Sequence, residues 1–168
     1  MIRVLVDCNY LCYKALFTTG DLSQDQKRVG VIFGFIEQIF TIAKKFSTNR
    51  FYFCWDSRNS YRKILYPPYK SSRRKDMTEQ QIIDMTDAFR QFDEIREILL
   101  PIMGFNNNYQ QSGYEADDLI AHIAMRFPDE TIIASSDNDF LQLIHRDKFC
   151  PVSIYNSKKG ITDEAKFK

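Results

Sequence analysis

Apolar residues along this chain fall into two alternating patterns, short unbroken runs and longer stretches in which they recur at intervals of three and four. Residues 2–6 make a short, branched apolar run that stops at Asp7, the pattern of a strand buried on both faces. Over residues 29–46 the period changes. Val29, Ile32, Phe33, Ile36, Ile39, Phe40, Ala43 and Phe46 mark one face of a helix, with Gly30 and Gly34 allowing close packing. A second strand, Phe51–Trp55, ends at another acid, Asp56. The next helix is signposted by a capping-box pair, Thr78 and Gln81. Its stripe is Ile82, Met85, Phe89, Phe92, Ile95 and Leu99, and Pro101 with Gly104 ends it. A weak strand is expected over 105–109. Gly113 precedes a helix whose Ala116, Leu119, Ile120, Ile123, Ala124 and Phe127 face inward, with Glu115, Asp118 and His122 opposite. A third buried strand, Thr131–Ala134, runs through Ser135 and Ser136 into Asp137. Asp139 opens a helical segment reaching Ile144, and a short strand over 152–155 closes the sheet. Strands alternating with helices predict an α/β fold: an open, mostly parallel central sheet with helices on both faces.

Length and composition narrow this picture. With 168 residues, 44% apolar and 14% aromatic, the chain supplies one ordinary core and is expected to form one domain, 1–168. Its net charge of +1 leaves the question of a polyanionic partner to charge distribution. Cys8, Cys12, Cys54 and Cys150 show no CxxC spacing, so reduced buried thiols are expected and zinc or dithiol chemistry is disfavoured. The N-terminal segment is broken by Arg3, Asp7 and Lys14, unlike a signal peptide, and no run reaches membrane-spanning length. A cytoplasmic protein with no membrane contact is the expectation.

The carboxylates change the picture most. In open α/β sheets the carboxyl ends of the strands open onto one edge, where ligands bind. Asp7, Asp56 and Asp137 stand at such ends, Glu115, Asp117 and Asp118 at a helix start, and Asp139 two residues past Asp137. Singly, such acids are ordinary helix caps or complements of a helix dipole. Together they exceed what capping needs, and their mutual repulsion calls for a cation. Oxygen ligands without His or Cys point to Mg²⁺ or Mn²⁺ rather than zinc. His122 and His145 are assigned surface roles.

A second cluster lies directly after the second strand. Residues 58–75 contain Arg58, Arg62, Lys63, Lys70, Arg73, Arg74 and Lys75 without an acid, interleaved with Tyr61, Tyr66 and Tyr69. Cationic side chains neutralise phosphates, and tyrosine rings stack unpaired bases. A solvated charge run is the plainer alternative. The segregation of acids from bases, hidden by the small net charge, suits a nuclease.

These residues resemble the 5′ nuclease family, which includes bacteriophage 5′-3′ exonucleases, flap endonucleases and the nuclease domain of bacterial DNA polymerase I. The likeness covers nearly the whole chain. Asp7 in Val-Asp-Cys-Asn-Tyr-Leu is similar to the family's first metal ligand, and Asp56 in Phe-Cys-Trp-Asp-Ser to its second, with Arg62 and Lys63 following. Tyr69-Lys70-Ser71-Ser72-Arg73 is similar to its Tyr-Lys-x-x-Arg. Gly113-Tyr114-Glu115-Ala116-Asp117-Asp118 and Asp137-Asn138-Asp139, the latter followed by Gln142-Leu143, match its two most specific motifs. Cys8 and Lys14 are minor departures.

The resemblance implies a PIN-like fold with residues 58–77 as a basic arch. It implies Asp7, Asp56, Glu115, Asp117, Asp118, Asp137 and Asp139 as ligands of two Mg²⁺ or Mn²⁺ ions. Lys70 and Arg73, with Arg62, would act on the scissile phosphate, while Arg58, Lys63, Tyr69, Arg74 and Lys75 hold nucleic acid. The implied activity is two-metal hydrolysis, by a monomer in a bacterial cell or phage-infected host, of DNA with a 5′ end, flap or RNA primer. Family members continue past this point with a helix-three-turn-helix and a further aspartate motif, whereas residues 161–165 only begin a helix before Lys168. The chain is therefore either part of a longer protein or a short relative. A small ribonuclease domain and a non-catalytic nucleic-acid-binding module with an incomplete second metal site are the rival functions.

Overall fold

In the computed structural model, which describes residues 1–70, 78–126, 129–144 and 151–167, the apolar runs form the centre of a six-stranded sheet. The first strand, β1 (Arg3–Asp7), is buried throughout its length except at Asp7, and it leads directly into α1 (Cys8–Thr19). Arg3, which interrupts the run, is itself fully buried. Its guanidinium donates to Thr131 and to the carbonyls of Ile123 and Ala124. A small hairpin follows, β2 (Ser23–Gln24) with β3 (Lys27–Arg28), turning through Asp25 and Gln26 at positive φ. Then comes α2 (Gly30–Phe46).

The buried face of α2 differs from the predicted stripe. Phe33 and Phe40 are 53% and 59% exposed, while Val31, Gly34, Phe35, Ile39 and Ile42 are buried. Apolar residues spread wider than one stripe of this helix, so the pattern narrows the buried face without fixing it. The two glycines select it. A Cβ at Gly30 would stand 1.8 Å from the Thr19 carbonyl oxygen, and one at Gly34 2.9 Å from Cβ of Ala15, so α1 can approach only over them.

Next come β4 (Phe51–Trp55), the short α3 (Tyr61–Leu65) and α4 (Glu79–Glu94). Thr78 and Gln81 make both bonds of the predicted capping box. Met85, Phe89, Phe92, Ile95 and Leu99 of the stripe are buried or half-buried, but Ile82 is 53% exposed. Pro101 has no N–H for the carbonyl four residues back, and the helix widens into a π turn, Ile95–Leu99, immediately before α5 (Leu100–Ile102). Gly104 at φ 82° ends it, with N–H bonds from Gly104 to Pro101 and from Phe105 to Leu100.

The chain continues through β5 (Asn108–Gln110), α6 (Ala116–Arg126), β6 (Thr131–Ala134) and a 3₁₀ helix, Asn138–Leu143, to β7 (Val152–Asn156), β8 (Gly160–Thr162) and α7 (Glu164–Phe167). The sheet order is β5-β4-β1-β6-β7-β8, with every pairing parallel except β7 with β8. Two expectations are corrected here. The strand at 152–156 does not close the sheet, because a tight turn lets β8 pair antiparallel outside it. Ile161 and Thr162 belong to that strand, so the last helix begins later, at Glu164.

Alternate strand residues feed two cores. Val4, Val6, Phe51, Phe53, Trp55, Ile132 and Ala134 pack with α1, α2 and α4, while Leu5, Cys54, Ile133 and Ile154 pack with α6 and the 3₁₀ helix. The predicted α/β sheet with helices on both faces is thus the observed one. Cys8, Cys12 and Cys54 are buried free thiols, and burial pushes Cys54 up to about 12. Cys150, Phe127 and His145 lie outside the described residues. Among the described residues no helix is long and apolar enough to cross a membrane.

Candidate active site

Three adjacent strands, β4, β1 and β6, bring acids to one edge of the sheet. Val6 is in register with Ala134 and Asp7 with Cys54, so Asp7, Asp56 and the segment from Ser135 to Asp137 emerge side by side. Asp7 ends β1 and caps α1. Its Oδ1 accepts the Tyr10 N–H at 3.0 Å and its Oδ2 accepts the Ser135 hydroxyl at 2.9 Å. Asp56 follows β4; its Oδ1 accepts the Ala116 N–H at 2.8 Å, and its own N–H donates to Asn9 Oδ1 at 3.1 Å. The Ala116 bond ties the end of β4 to the start of the acidic helix, and the Asn9 bond ties it to α1.

Glu115 corrects the predicted helix wheel. It precedes α6 rather than sharing an exposed face with His122, and it is buried with 6% of its surface exposed, whereas His122 is exposed. The reason is that three donors from the basic segment cover it. Its Oε2 accepts from Arg62 at 2.6 Å, Lys70 at 2.7 Å and the Tyr69 hydroxyl at 3.1 Å. The Arg62 guanidinium also reaches Asp117 at 3.0 Å and Asp118 at 2.7 Å. Asp118 accepts the Glu115 N–H at 3.0 Å, so it caps its own helix as well.

Asp137 caps the 3₁₀ helix, its Oδ1 accepting the Asp139 N–H at 2.9 Å, and its own N–H donates to Ser135 Oγ at 3.2 Å. Asp137 and Asp139 are exposed. Asp139 shares a cleft of about 180 Å³ with Arg62, Asp117, Asp118 and Gln142. The seven acids thus stand on one edge in two groups. Asp7, Asp56, Glu115, Asp117 and Asp118 form one and Asp137 with Asp139 the other, and Ser135 lies between them.

Electrostatics differ across the cluster. Burial, aided by repulsion from Asp56 and Asp117, pushes the Asp7 carboxyl up to about 6 against the bonds from Tyr10 and Ser135. Burial likewise raises Asp56. Burial would raise Glu115 too, but the bonds and charges of Lys70 with those of Ser60 and Arg62 hold it down at about 2. Among the described residues, ion pairs to this cluster come from Arg62 and Lys70 and end on Glu115, Asp117 and Asp118; none reaches Asp7 or Asp56. Among the described residues, ion pairs thus compensate Glu115, Asp117 and Asp118, while Lys70 acts on Asp56 only through its charge. In this arrangement no three acids among the described residues surround a common point, and the Arg62 guanidinium fills the space between three of them. The donor set fits a hard cation by its all-carboxylate chemistry.

The basic segment is partly engaged. Arg58 pairs with Asp93 of α4, Lys63 is exposed on α3, and the Lys70 ammonium lies 4.8 Å from the centre of the Tyr69 ring. Tyr61 packs edge-on against Tyr114 and covers Gly113, whose φ is 89°. Arg73, Arg74 and Lys75 lie outside the described residues. Sequence patterns assigned no role to Ser135, Asn9 or Ser60. Each is a short polar residue whose role depends on a partner distant in sequence, and only the Ser-Ser step before Asp137 hinted at one of them.

Residues 3–168 match the family model described as the 5′-3′ exonuclease, N-terminal resolvase-like domain. A 5′-3′ exonuclease of Mycoplasmopsis pulmonis is 31% identical over 150 residues, covering 87% of this chain and 46% of that protein. A DNA polymerase I of Chloroflexus aurantiacus is 29% identical over 154 residues, covering 86% of this chain and 15% of that protein. The chain therefore spans less than half of either relative. A solved structure described as divalent metal ions (zinc) bound to T5 5′-exonuclease superposes with a TM-score of 0.77 at 20% identity, over 97% of this chain and 58% of that one, a likeness of fold. With residues 3–168 matched by the family model, this chain belongs to the 5′-3′ exonuclease N-terminal domain family.

Proposed function

We propose that residues 1–168 are the catalytic domain of a divalent-metal-dependent, structure-specific 5′ nuclease. It hydrolyses phosphodiester bonds of DNA, or of an RNA primer, near 5′ ends and junctions, and acts as a monomer. The observation that carries this is the meeting of a carboxylate cluster with the Arg62 and Lys70 cations at one sheet edge. Asp7, Asp56, Glu115, Asp117 and Asp118 would hold one ion, and Asp137 and Asp139 would contribute to a second. Their oxygen donors favour Mg²⁺ or Mn²⁺ over zinc. When bound, such ions supply Lewis acidity and lower the pKa of water at the reacting phosphate.

The chain's own residues do the rest. Lys70 and Arg62 exchange Glu115 for the substrate phosphate, neutralising its charge, and Arg73 assists. Tyr69 offers a ring to an unpaired base. Arg58, Lys63, Arg74 and Lys75 grip the flanking backbone and make affinity salt dependent.

One observation favours a second reading, a nucleic-acid-binding module without cleavage: Arg62 already occupies the space between three acids. Incubation of 5′-labelled flap DNA and of matched single-stranded RNA with Mg²⁺, Mn²⁺ or EDTA separates these readings. Metal-dependent cutting of the flap, lost in EDTA, is the expected result. Binding without cutting at high Mn²⁺ supports the module instead, and cutting confined to the RNA supports a ribonuclease.

A further inference from the structure

Ser135 stands one residue past β6, opposite Asp7 at the end of the neighbouring strand, because Val6 and Ala134 are paired in parallel register. It is fully buried, and its hydroxyl is used twice. The O–H donates to Asp7 Oδ2 at 2.9 Å, and the oxygen accepts the N–H of Asp137 at 3.2 Å. The other oxygen of Asp7 is already taken by the Tyr10 N–H at 3.0 Å. Asp137 in turn accepts from the N–H of Asp139 at 2.9 Å. One hydroxyl therefore connects the two groups of acids across two strands.

We propose that Ser135 is a positioning residue that sets the Asp7 carboxylate against the Asp137/Asp139 segment, so that both groups of acids meet the same metal centre in fixed relation. This rests on the metal-centre reading given above. A hydroxyl suits the place because it donates and accepts at once within the reach of a single side-chain bond. Alanine does neither, and cysteine nearly keeps the size but donates weakly. Partners that orient ligands from outside commonly govern metal affinity by ten- to a hundredfold.

The test is Mn²⁺ binding to the chain by calorimetry and electron paramagnetic resonance, with thermal unfolding measured in EDTA. Ser135→Ala is expected to melt close to the parent protein without metal and to bind Mn²⁺ at least about tenfold more weakly. Ser135→Thr, which keeps the hydroxyl, should restore binding. Should Ser135→Ala fail to fold, Ser135→Cys takes its place with the same expected loss. A folded Ala or Cys variant that binds as many ions as the parent with the same affinity overturns the proposal while leaving the metal centre intact. If the parent chain itself takes up no Mn²⁺, the metal-centre reading fails and the role of Ser135 falls with it.

Discussion

The Arg62 guanidinium lies 2.6 Å from Oε2 of Glu115, across 53 residues of sequence, and the same fork reaches Asp117 and Asp118. It therefore serves as the internal counter-cation of the acidic turn. Lysine lacks the fork and has one nitrogen where Arg62 uses two to reach these carboxylates.

Replacing that fork should expose its contribution. Arg62→Gln is expected to lower metal-free stability by about 1–2 kcal/mol, because a buried carboxylate loses its shortest charged partner. The partial exposure of Arg62 keeps the loss small. Urea unfolding in EDTA measures it, and Arg62→Lys should fall between Arg62→Gln and the parent. A stability equal to the parent's in both variants would mean that the fork contributes nothing in solution.

The pH response of Asp7 has a definite sign. Its folded carboxyl titrates at about 6 against an ordinary 3.8, so between those values the native state keeps a proton that the unfolded chain releases. Stability in EDTA should therefore fall as pH rises through that window. Asp7→Asn, which keeps the shape without the charge, should fall less steeply. Parallel curves for the two proteins from about pH 4 to about pH 7 would refute the assignment. Glu115 acts oppositely, its contribution disappearing as pH drops from 4.5 toward about 2.

Gly113 links the backbone to the basic segment. A Cβ there would stand 2.1 Å from a carbon of the Tyr61 ring, and its φ of 89° disfavours side chains. Its carbonyl also accepts the Tyr61 N–H at 2.8 Å, one residue before Arg62. Gly113→Ala should cost about 1–3 kcal/mol in chemical denaturation and lower cleavage as well, since the segment holding Arg62 must shift. Unchanged stability would indicate that the Tyr61 ring moves aside freely.

Lys70 tests the phosphate contact. Lys70→Gln should weaken DNA binding at low salt and reduce the slope of log affinity against log salt by about 1. Fluorescence anisotropy across a salt series reads this directly. A slope identical to the parent's would remove Lys70 from the nucleic-acid interface.

The sequence by itself determined the alternation of strands and helices, the Thr78 capping box, the buried thiols and the stations of Asp7, Asp56 and Asp137 at strand ends. These follow from local chemistry, because a continuous apolar run and the acid that stops it are neighbours in the chain. It misjudged the α2 face, since apolar residues there spread wider than one stripe, and contact with α1 over Gly30 and Gly34 decides which of them are covered. It also set Glu115 on the solvent side, because burial there depends on donors 45 to 53 residues away. The bridge through Ser135 likewise exists only once distant segments are paired. Which acids share a cation, among the described residues, was decided by the tertiary structure. Charge compensation depends on distance in space, and spacing along a chain does not record it.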